Sequence, residues 1–187
     1  MIHRMMRMYS CNKLGRLLPF LGDCKSVADV GSGTSYLASL LADEGFDVTA
    51  LDVVDVSKSG VVPVLFDGTH IPYPDQHFDA SILVFVLHHA TDQLALLKEV
   101  FRVTGKRVVI LEDTPGNRLE LLLNSVFDKL RNGLHGIASP LFFKDAEYWE
   151  LQLESLGGRI VQRQKIRQVN GFWTFHYTLF VIDKMPT

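Results

Sequence analysis

Cysteine is scarce in this sequence, and its scarcity argues against two kinds of site. The 187 residues contain two cysteines, Cys11 and Cys24, at a spacing that matches no metal-ligand pattern. We therefore expect neither a structural metal centre nor a disulfide framework. Unpaired thiols are typical of a reducing compartment, so the sequence predicts a cytoplasmic protein.

Long apolar runs and a strong net charge are also missing. No apolar run reaches the roughly 18 residues that a membrane span needs, so no span is predicted. The formal net charge is −2 and the isoelectric point is about 6.4, which provides no basic field for a nucleic-acid partner. The basic, methionine-rich start Met1–Met8 lacks the continuous apolar region of a signal peptide.

Repeats, low-complexity tracts and linkers are absent from the sequence as well. A chain of 187 residues that is 47% hydrophobic can bury its own core, so residues 1–187 are predicted to form a single domain. Within it, residues 1–25 are predicted to be a helical lid or cap. Two interpretations of its start remain open: a short amphipathic helix resting on the domain, or a mobile lid with flexible methionines against an apolar substrate.

Apolar strand-like runs alternate with helical patterns along the chain. Strands are predicted at Ser26–Val30, Asp47–Asp52, Val61–Phe66, Phe78–Phe85, Arg107–Leu111, Arg159–Val169 and Phe172–Asp183. Helices are predicted at Asn12–Leu21, Ser35–Glu44, Thr91–Val103, Leu119–Leu130 and Asp145–Leu156. Thr91 is the candidate N-cap of the third helix and Gly105 ends it, while Gly157-Gly158 caps the last. Asn170-Gly171 separates the last two strands and is a strong hairpin signal. The pattern predicts an α/β fold: a seven-stranded, mostly parallel sheet with a C-terminal antiparallel hairpin and helices on both faces.

A glycine pair follows the first predicted strand. Gly31 and Gly33 remove two Cβ atoms where the backbone turns sharply, and the amides that open the next helix favour polar or anionic groups. Many Gly-x-Gly pairs are only turns. The residues farther along the chain therefore decide between a turn and a binding loop.

Two adjacent histidines, His88 and His89, follow the fourth predicted strand. Neighbouring side chains are expected to diverge, so the pair makes a poor chelate, and no metal site is predicted. A histidine titrates near neutrality and suits general-base chemistry, so both are candidate catalytic residues. Two other roles remain open for them, namely lining the site and structural packing.

Taken together, several motifs resemble the class I S-adenosylmethionine-dependent methyltransferases, and most of all the small-molecule group that includes ubiquinone and menaquinone biosynthesis enzymes. The resemblance runs from about Val27 to Leu111 and continues weakly to the terminal hairpin. The motifs that carry it are Val27–Thr34, Asp52, Asp67, Ile71–Asp79, Leu87–Asp92 and Leu96–Val103. The resemblance implies a Rossmann-like fold with S-adenosylmethionine as the cofactor.

The same resemblance implies which residues bind this cofactor. They are Asp29, Gly31, Ser32, Gly33, Asp52, Val53, Asp67, Gly68, Thr69 and Val84. The glycine loop and Asp29 would face the amino-acid part, and Asp52 would accept both ribose hydroxyls. Val53 and the segment at Asp67 would meet the adenine. Alternative roles are an acid that only orients the loop for Asp29, an Asx turn for Asp67 and a core contact for Val53.

A nicotinamide dinucleotide site also uses a strand, a glycine loop and a later acid, which Asp52 would supply. In that motif, the residue at the position of Tyr36 must be small so that helix and strand pack closely, and a tyrosine there argues against a dinucleotide site.

The methyltransferase family commonly has a third small residue where this chain has Ser35. A left-handed backbone at this serine would cost roughly 1 kcal/mol or more.

These observations predict methyl transfer from S-adenosylmethionine to a small-molecule acceptor. The apolar start of the chain and Leu119–Phe143 are expected to wall the acceptor pocket, which mildly favours an apolar or aromatic acceptor. Two alternatives remain open: a protein that binds the cofactor without transferring the methyl group, and a methyltransferase acting on protein or RNA. Oxygen, nitrogen and carbon all remain open as the acceptor atom.

Overall fold

The computed structural model describes residues 2–133, 142–170 and 173–185. The strands are β1 (Ser26–Val30), β2 (Asp47–Asp52), β3 (Val64–Leu65), β4 (Phe78–Val84), β5 (Thr104–Asp113), β6 (Gly158–Asn170) and β7 (Trp173–Lys184). The helices are α1 (Ile2–Leu17), α2 (Tyr36–Asp43), α3 (Gln93–Val103), α4 (Arg118–Gly133) and α5 (Ala146–Ser155). Short 3-10 turns cover Leu18–Phe20 and Leu87–His89.

The strands form one sheet in the order β3-β2-β1-β4-β5-β7-β6. The pairs from β3 to β5 are parallel, whereas β7 runs antiparallel to both β5 and β6. This arrangement confirms the predicted fold class. The chain moves outward from β1 to β3 and then returns to place β4 on the other side of β1. Ligands of such open sheets bind where the strand order reverses, at the carboxyl ends of β1 and β4.

Helices cover both faces of the sheet because the central strands are apolar on both sides. On one face, β1 contributes Val27 to a cluster with Leu17 of α1 and Leu41 of α2. On the other face, it contributes Val30 to a cluster with Leu97 of α3 and Trp149 of α5. Alternate residues of β1 thus point to opposite layers, which fixes Asp29 on the α1 and α2 side.

The N-terminal segment is more continuous than its sequence predicts. One helix, α1, runs over Ile2–Leu17 instead of two separate segments, and Pro19 falls inside the 3-10 turn that follows. The predicted strand at Val61–Phe66 shortens to Val64–Leu65. Its predicted place at the sheet edge is confirmed, as expected beside Pro63, which has no amide hydrogen to donate.

Two boundary predictions around α3 are wrong. The N-cap is Asp92, not Thr91, because the Asp92 side chain accepts a hydrogen bond from the Ala95 amide at 2.9 Å. Gly105 does not end this helix, since β5 begins directly at Thr104. Gly105 lies instead beside the register shift between β4 and β5, where a Cβ atom would lie 3.4 Å from the Phe78 carbonyl oxygen.

The C-terminal hairpin is confirmed by the antiparallel register of β6 and β7, in which Asn170 pairs with Trp173. Gly171 of the predicted turn lies outside the described residues, and so does 134–141, most of the predicted loop after α4. Among the residues that are described, no helix has both the length and the apolar character to cross a membrane.

Candidate functional site

The glycine loop is anchored to the end of β2. The amides of Gly31 and Ser32 both donate to the Leu51 carbonyl oxygen, at 2.8 and 3.0 Å. The Gly33 amide donates to Oδ2 of Asp52 at 2.7 Å. The structure thus brings the predicted loop residues and Asp52 together at the β1 and β4 switch point.

Three residues of this loop have left-handed backbones, with φ of 72° at Gly31, 52° at Gly33 and 57° at Ser35. Ser35 therefore adopts the conformation that is costly for a residue with a Cβ atom. A Cβ atom on Gly31 would lie 2.5 Å from Cγ2 of Val86, whereas one on Gly33 would meet nothing within 4 Å. The protein itself crowds the first glycine, while the second faces open space.

Asp52 is 9% exposed and accepts hydrogen bonds on both carboxylate oxygens. Besides the Gly33 amide on Oδ2, Oδ1 accepts from the amides of Val53 at 2.7 Å and Val54 at 3.3 Å. A carboxylate offers about four lone-pair sites, so acceptor capacity remains for a ligand. The predicted contact of Asp52 with two ribose hydroxyls stays a prediction.

Asp29 is the most deeply buried acid of the loop region, at 2% exposure. Its Oδ2 atom finds no hydrogen-bond partner among the described residues. Burial raises the pKa of Asp29 to about 7, while the charge of Lys13 and the Ala38 amide oppose this rise. A buried acid with an unsatisfied oxygen suits a cationic or hydrogen-bond-donating ligand group.

The predicted adenine-side residues fall into two groups. Val53 is 55% exposed, and a Cβ atom on Gly68 would lie 3.3 Å from its Cγ1, so these two line one surface. Asp67 is exposed, and its Oδ1 accepts from the Thr69 amide at 2.7 Å, the Thr69 hydroxyl at 2.9 Å and the His70 amide at 2.7 Å. The structure therefore gives Asp67 the turn role that the sequence left open, and its adenine contact stays a prediction.

The two histidines occupy different environments. His88 is 1% exposed, its Nδ1 contacts Oε1 of buried Glu112, and its ring stacks on Phe143 at 4.7 Å. His89 is half-buried, with its ring centroid 3.9 Å from that of His88, so the expectation of diverging rings is wrong. Of the two, His89 is better placed to meet a ligand. Catalytic roles for both remain predictions.

Glu112 also brings His88 close to Asp113, and one ligand atom from each of these three residues lies within 4.8 Å of the others. Glu112 lies 24 residues after His88 in the sequence, so tertiary structure creates this cluster. Oε2 of Glu112 already accepts from the Leu87 amide at 2.7 Å, and Oε1 accepts from the Asp113 amide at 3.0 Å. The cluster is thus held together by internal hydrogen bonds.

Sequence analysis missed a polar group between α4 and β7. Glu120 is 4% exposed, and its Oε2 lies 2.9 Å from Nδ1 of His176 and accepts from the Gly116 amide at 2.8 Å. One turn later, Asn124 is 6% exposed, and neither side-chain amide atom has a partner among the described residues. A polar helix face normally points to water, so the sequence carried no signal that this one is buried.

The remaining predicted contacts are Val84 and the expected walls of the acceptor pocket. Val84 is 9% exposed and packs in the cluster under α1 and α2. Of the expected pocket walls, Met5, Met8 and Leu119 are 60–62% exposed, so these side chains do not close a pocket. Residues 134–141 of the other wall lie outside the described residues.

Comparisons with known proteins match this chain to methyltransferases. Residues 28–111 match a family described as "Methyltransferase domain". A demethylmenaquinone methyltransferase from Mycobacterium sp. (strain JLS) is 34% identical over 123 residues, which cover 62% of this chain and 51% of that protein. A ubiquinone/menaquinone biosynthesis C-methyltransferase from Ectopseudomonas mendocina is 32% identical over 150 residues, or 70% of this chain and 57% of that protein. The chain thus spans about half the length of these relatives.

Solved structures share the fold. An S-adenosylmethionine-dependent methyltransferase from Archaeoglobus fulgidus superposes with a TM-score of 0.73 at 17% identity, covering 95% of this chain and 94% of the other. Magnesium protoporphyrin IX methyltransferase from Synechocystis, solved with S-adenosylhomocysteine, superposes with a TM-score of 0.66 at 16% identity. The match covers 96% of this chain and 84% of the other. At such low identity, these matches speak for the fold alone.

Proposed function

We propose that this chain, whose residues 28–111 match a methyltransferase family and which is similar over part of its length to quinone-biosynthesis methyltransferases, transfers a methyl group from S-adenosylmethionine to a small-molecule acceptor. The observation that carries the proposal is the convergence of the glycine loop, Asp29 and Asp52 at the sheet's switch point. Both cysteines are free, which supports action in a reducing compartment such as the cytoplasm.

Four features of the site fit a bound S-adenosylmethionine. The unsatisfied Oδ2 of buried Asp29 suits the ammonium group of its amino-acid end. The open space beside Gly33 lets a ligand approach the loop backbone, and the surface of Val53 and Gly68 suits a flat ring. Asp52, which has acceptor capacity left, would bind the ribose.

The bound cofactor supplies a methyl group that a sulfonium makes electrophilic, so the demand on the protein is mainly positional. The loop residues and Asp52 would hold the cofactor, and α1 brings Lys13 beside Phe85, directly after β4. Holding the acceptor in line with the methyl carbon and excluding water account for much of such a rate enhancement. His89 is the candidate for taking a proton from the acceptor.

Ligand-induced stabilisation and transfer of labelled methyl groups together test this proposal. S-adenosylmethionine and S-adenosylhomocysteine are expected to raise the melting temperature, because a ligand that binds only the folded state stabilises it, whereas NAD is expected to leave it unchanged. Labelled methyl groups from S-adenosylmethionine should then appear in the small-molecule fraction of a lysate. Label in protein or RNA would contradict the acceptor class, and binding without any transfer would indicate a binding protein.

The role of His89 is tested by replacing it with alanine. Loss of a general base typically lowers turnover by about 10²–10⁴-fold, with little change in cofactor affinity. His77→Ala is the matched control, because His77 is exposed and precedes β4 at the opposite end of the sheet. Equal losses in turnover and cofactor affinity for His89→Ala would make His89 a binding residue.

A further inference from the structure

Lys13 of α1 reaches the switch point of the sheet. Leu14 and Leu17 of the same helix are buried against α2, which fixes α1 over this face. The Lys13 ammonium nitrogen lies 4.7 Å from the ring centroid of Tyr9 and 5.1 Å from that of Phe85. Phe85 directly follows β4, so the two rings hold the ammonium group at the carboxyl end of the strand beside β1.

Asp29 lies on the same side of the sheet as Lys13. The lysine charge acts on this buried acid and stabilises its ionised form. One oxygen of Asp29 nevertheless has no hydrogen-bond partner among the described residues. The methionine end of the site therefore presents a carboxylate from β1 and an ammonium group from α1.

A pair of opposite charges is complementary to an α-amino acid, which carries an ammonium group and a carboxylate on one carbon. An acid alone recognises only the ammonium group, and the carboxylate then needs a cation from another element. We propose that Lys13 binds the carboxylate of the cofactor's amino-acid end while Asp29 binds its ammonium group. This inference rests on the proposed function and assigns to α1 a direct part in cofactor binding.

Three adenosine ligands separate the two contacts. S-adenosylmethionine carries both charged groups, its decarboxylated analogue keeps only the ammonium group, and 5′-methylthioadenosine lacks both. Calorimetry with Lys13→Met should show about tenfold weaker binding of S-adenosylmethionine, because a hydrogen bond to a charged group is lost. Binding of the decarboxylated analogue should stay within about twofold of wild type. Asp29→Asn should weaken the binding of both.

The variants have internal controls. Arg7→Met removes another cation of α1, which pairs with Asp43 at 3.6 Å, and should leave all three affinities unchanged. Retained binding of 5′-methylthioadenosine shows that a variant is folded.

Several outcomes would overturn the inference. The first is an unchanged affinity of Lys13→Met for S-adenosylmethionine, and the second is an equal loss of affinity for S-adenosylmethionine and its decarboxylated analogue. The third is tighter binding of S-adenosylmethionine by Lys13→Met, which would mean that Lys13 competes with the ligand's ammonium group for Asp29. A wild-type chain that binds none of the three ligands would overturn the proposed function together with this inference.

Discussion

Some residues of the site lower the stability of the folded protein and are also suited to bind a ligand. Asp29 is the clearest example. Burial makes its ionised form unfavourable and raises the pKa from its ordinary value of 3.8 to about 7. The folded protein therefore holds a proton on Asp29 at pH values where the unfolded chain has released it. A cation bound at Oδ2 would relieve this cost, which links the stability of the protein to occupancy of the site.

Asp29→Asn is expected to flatten part of the pH dependence of stability. In the wild type, the stabilising contribution of the proton is complete below about pH 4 and is lost as the pH rises to about 7. As the pH rises through this range, the free energy of unfolding of the variant should increase by roughly 3 kcal/mol relative to that of the wild type. Urea unfolding at several pH values measures this difference. Parallel curves for the two proteins would contradict the raised pKa.

Asp79→Asn provides a control with the opposite sign. The amide of Lys25 donates to the Asp79 carboxylate at 2.7 Å and holds its pKa below the ordinary value. The contribution of Asp79 is therefore present at neutral pH and disappears on acidification through its lowered pKa. This variant should lose stability at pH 7 and approach the wild type in acid.

The two loop glycines should respond differently to alanine. Gly31→Ala combines a left-handed backbone with a clash against Val86 and should lower the free energy of unfolding by roughly 2–4 kcal/mol. Gly33→Ala meets only the backbone cost of roughly 1–2 kcal/mol, but its Cβ fills the space proposed for the ligand. Chemical denaturation and calorimetry with S-adenosylhomocysteine separate the effects, and Val86→Ala should partly rescue Gly31→Ala. Equal stability losses would show that the clash does not matter.

At the scale of elements, α4 buries polar side chains and exposes apolar ones, the opposite of an ordinary surface helix. Glu120 and Asn124 face inward, whereas Leu119 and Leu122 are 62% and 59% exposed. The Glu120 carboxylate is satisfied by Gly116 and His176, but the Asn124 amide is not satisfied by any described residue. A buried polar group without a partner lowers stability, so Asn124 is a candidate contact for the acceptor.

Asn124→Leu is expected to raise the free energy of unfolding by about 1 kcal/mol, because leucine has the same branched arrangement of heavy atoms and needs no hydrogen-bond partner. Asn117→Leu is the matched control in the same region. The Asn117 side chain accepts from the Glu120 amide at 2.9 Å, so its loss should lower stability by about 1 kcal/mol. Thermal and urea unfolding measure both effects. A loss of stability in Asn124→Leu would contradict an unsatisfied amide.

Sequence patterns predicted the elements better than their ends. The spans of β1 and β2 were predicted to the residue, since a glycine directly after β1 and an acid at the end of β2 mark the strand ends clearly. The N-cap of α3 was misplaced by one residue because Thr91 and Asp92 are both good N-caps, and only side-chain geometry selects Asp92. The length of α1 was missed because its apolar residues follow no clear helical period.

At the scale of the whole molecule, close packing decides the role of a glycine that looks like a simple cap in the sequence. Gly157 has a φ of 80° and an open Cβ position, as a helix-ending glycine should. A Cβ atom on Gly158 would lie 2.5 Å from Cγ2 of Ile182 and 2.9 Å from the Leu153 carbonyl oxygen. Gly158 thus lets α5 approach β7 across the start of β6.

Gly158→Ala should therefore destabilise the protein more than Gly157→Ala does. The first substitution forces α5 and β7 apart and should cost roughly 3 kcal/mol, whereas the second meets mainly backbone strain of roughly 1 kcal/mol. Urea denaturation of the two variants compares them directly. The reverse order would mean that backbone conformation outweighs packing at this junction.

The sequence by itself determined the α/β fold, the terminal hairpin and the glycine loop with Asp52, because these depend on local periodicity and on short spacings along the chain. Tertiary structure alone decided that Lys13 lies over the Phe85 ring, that Glu112 holds His88 and that Val86 crowds Gly31. Each of these pairs joins residues far apart in sequence or on different elements. Their proximity follows from strand order and helix packing, which no local pattern encodes.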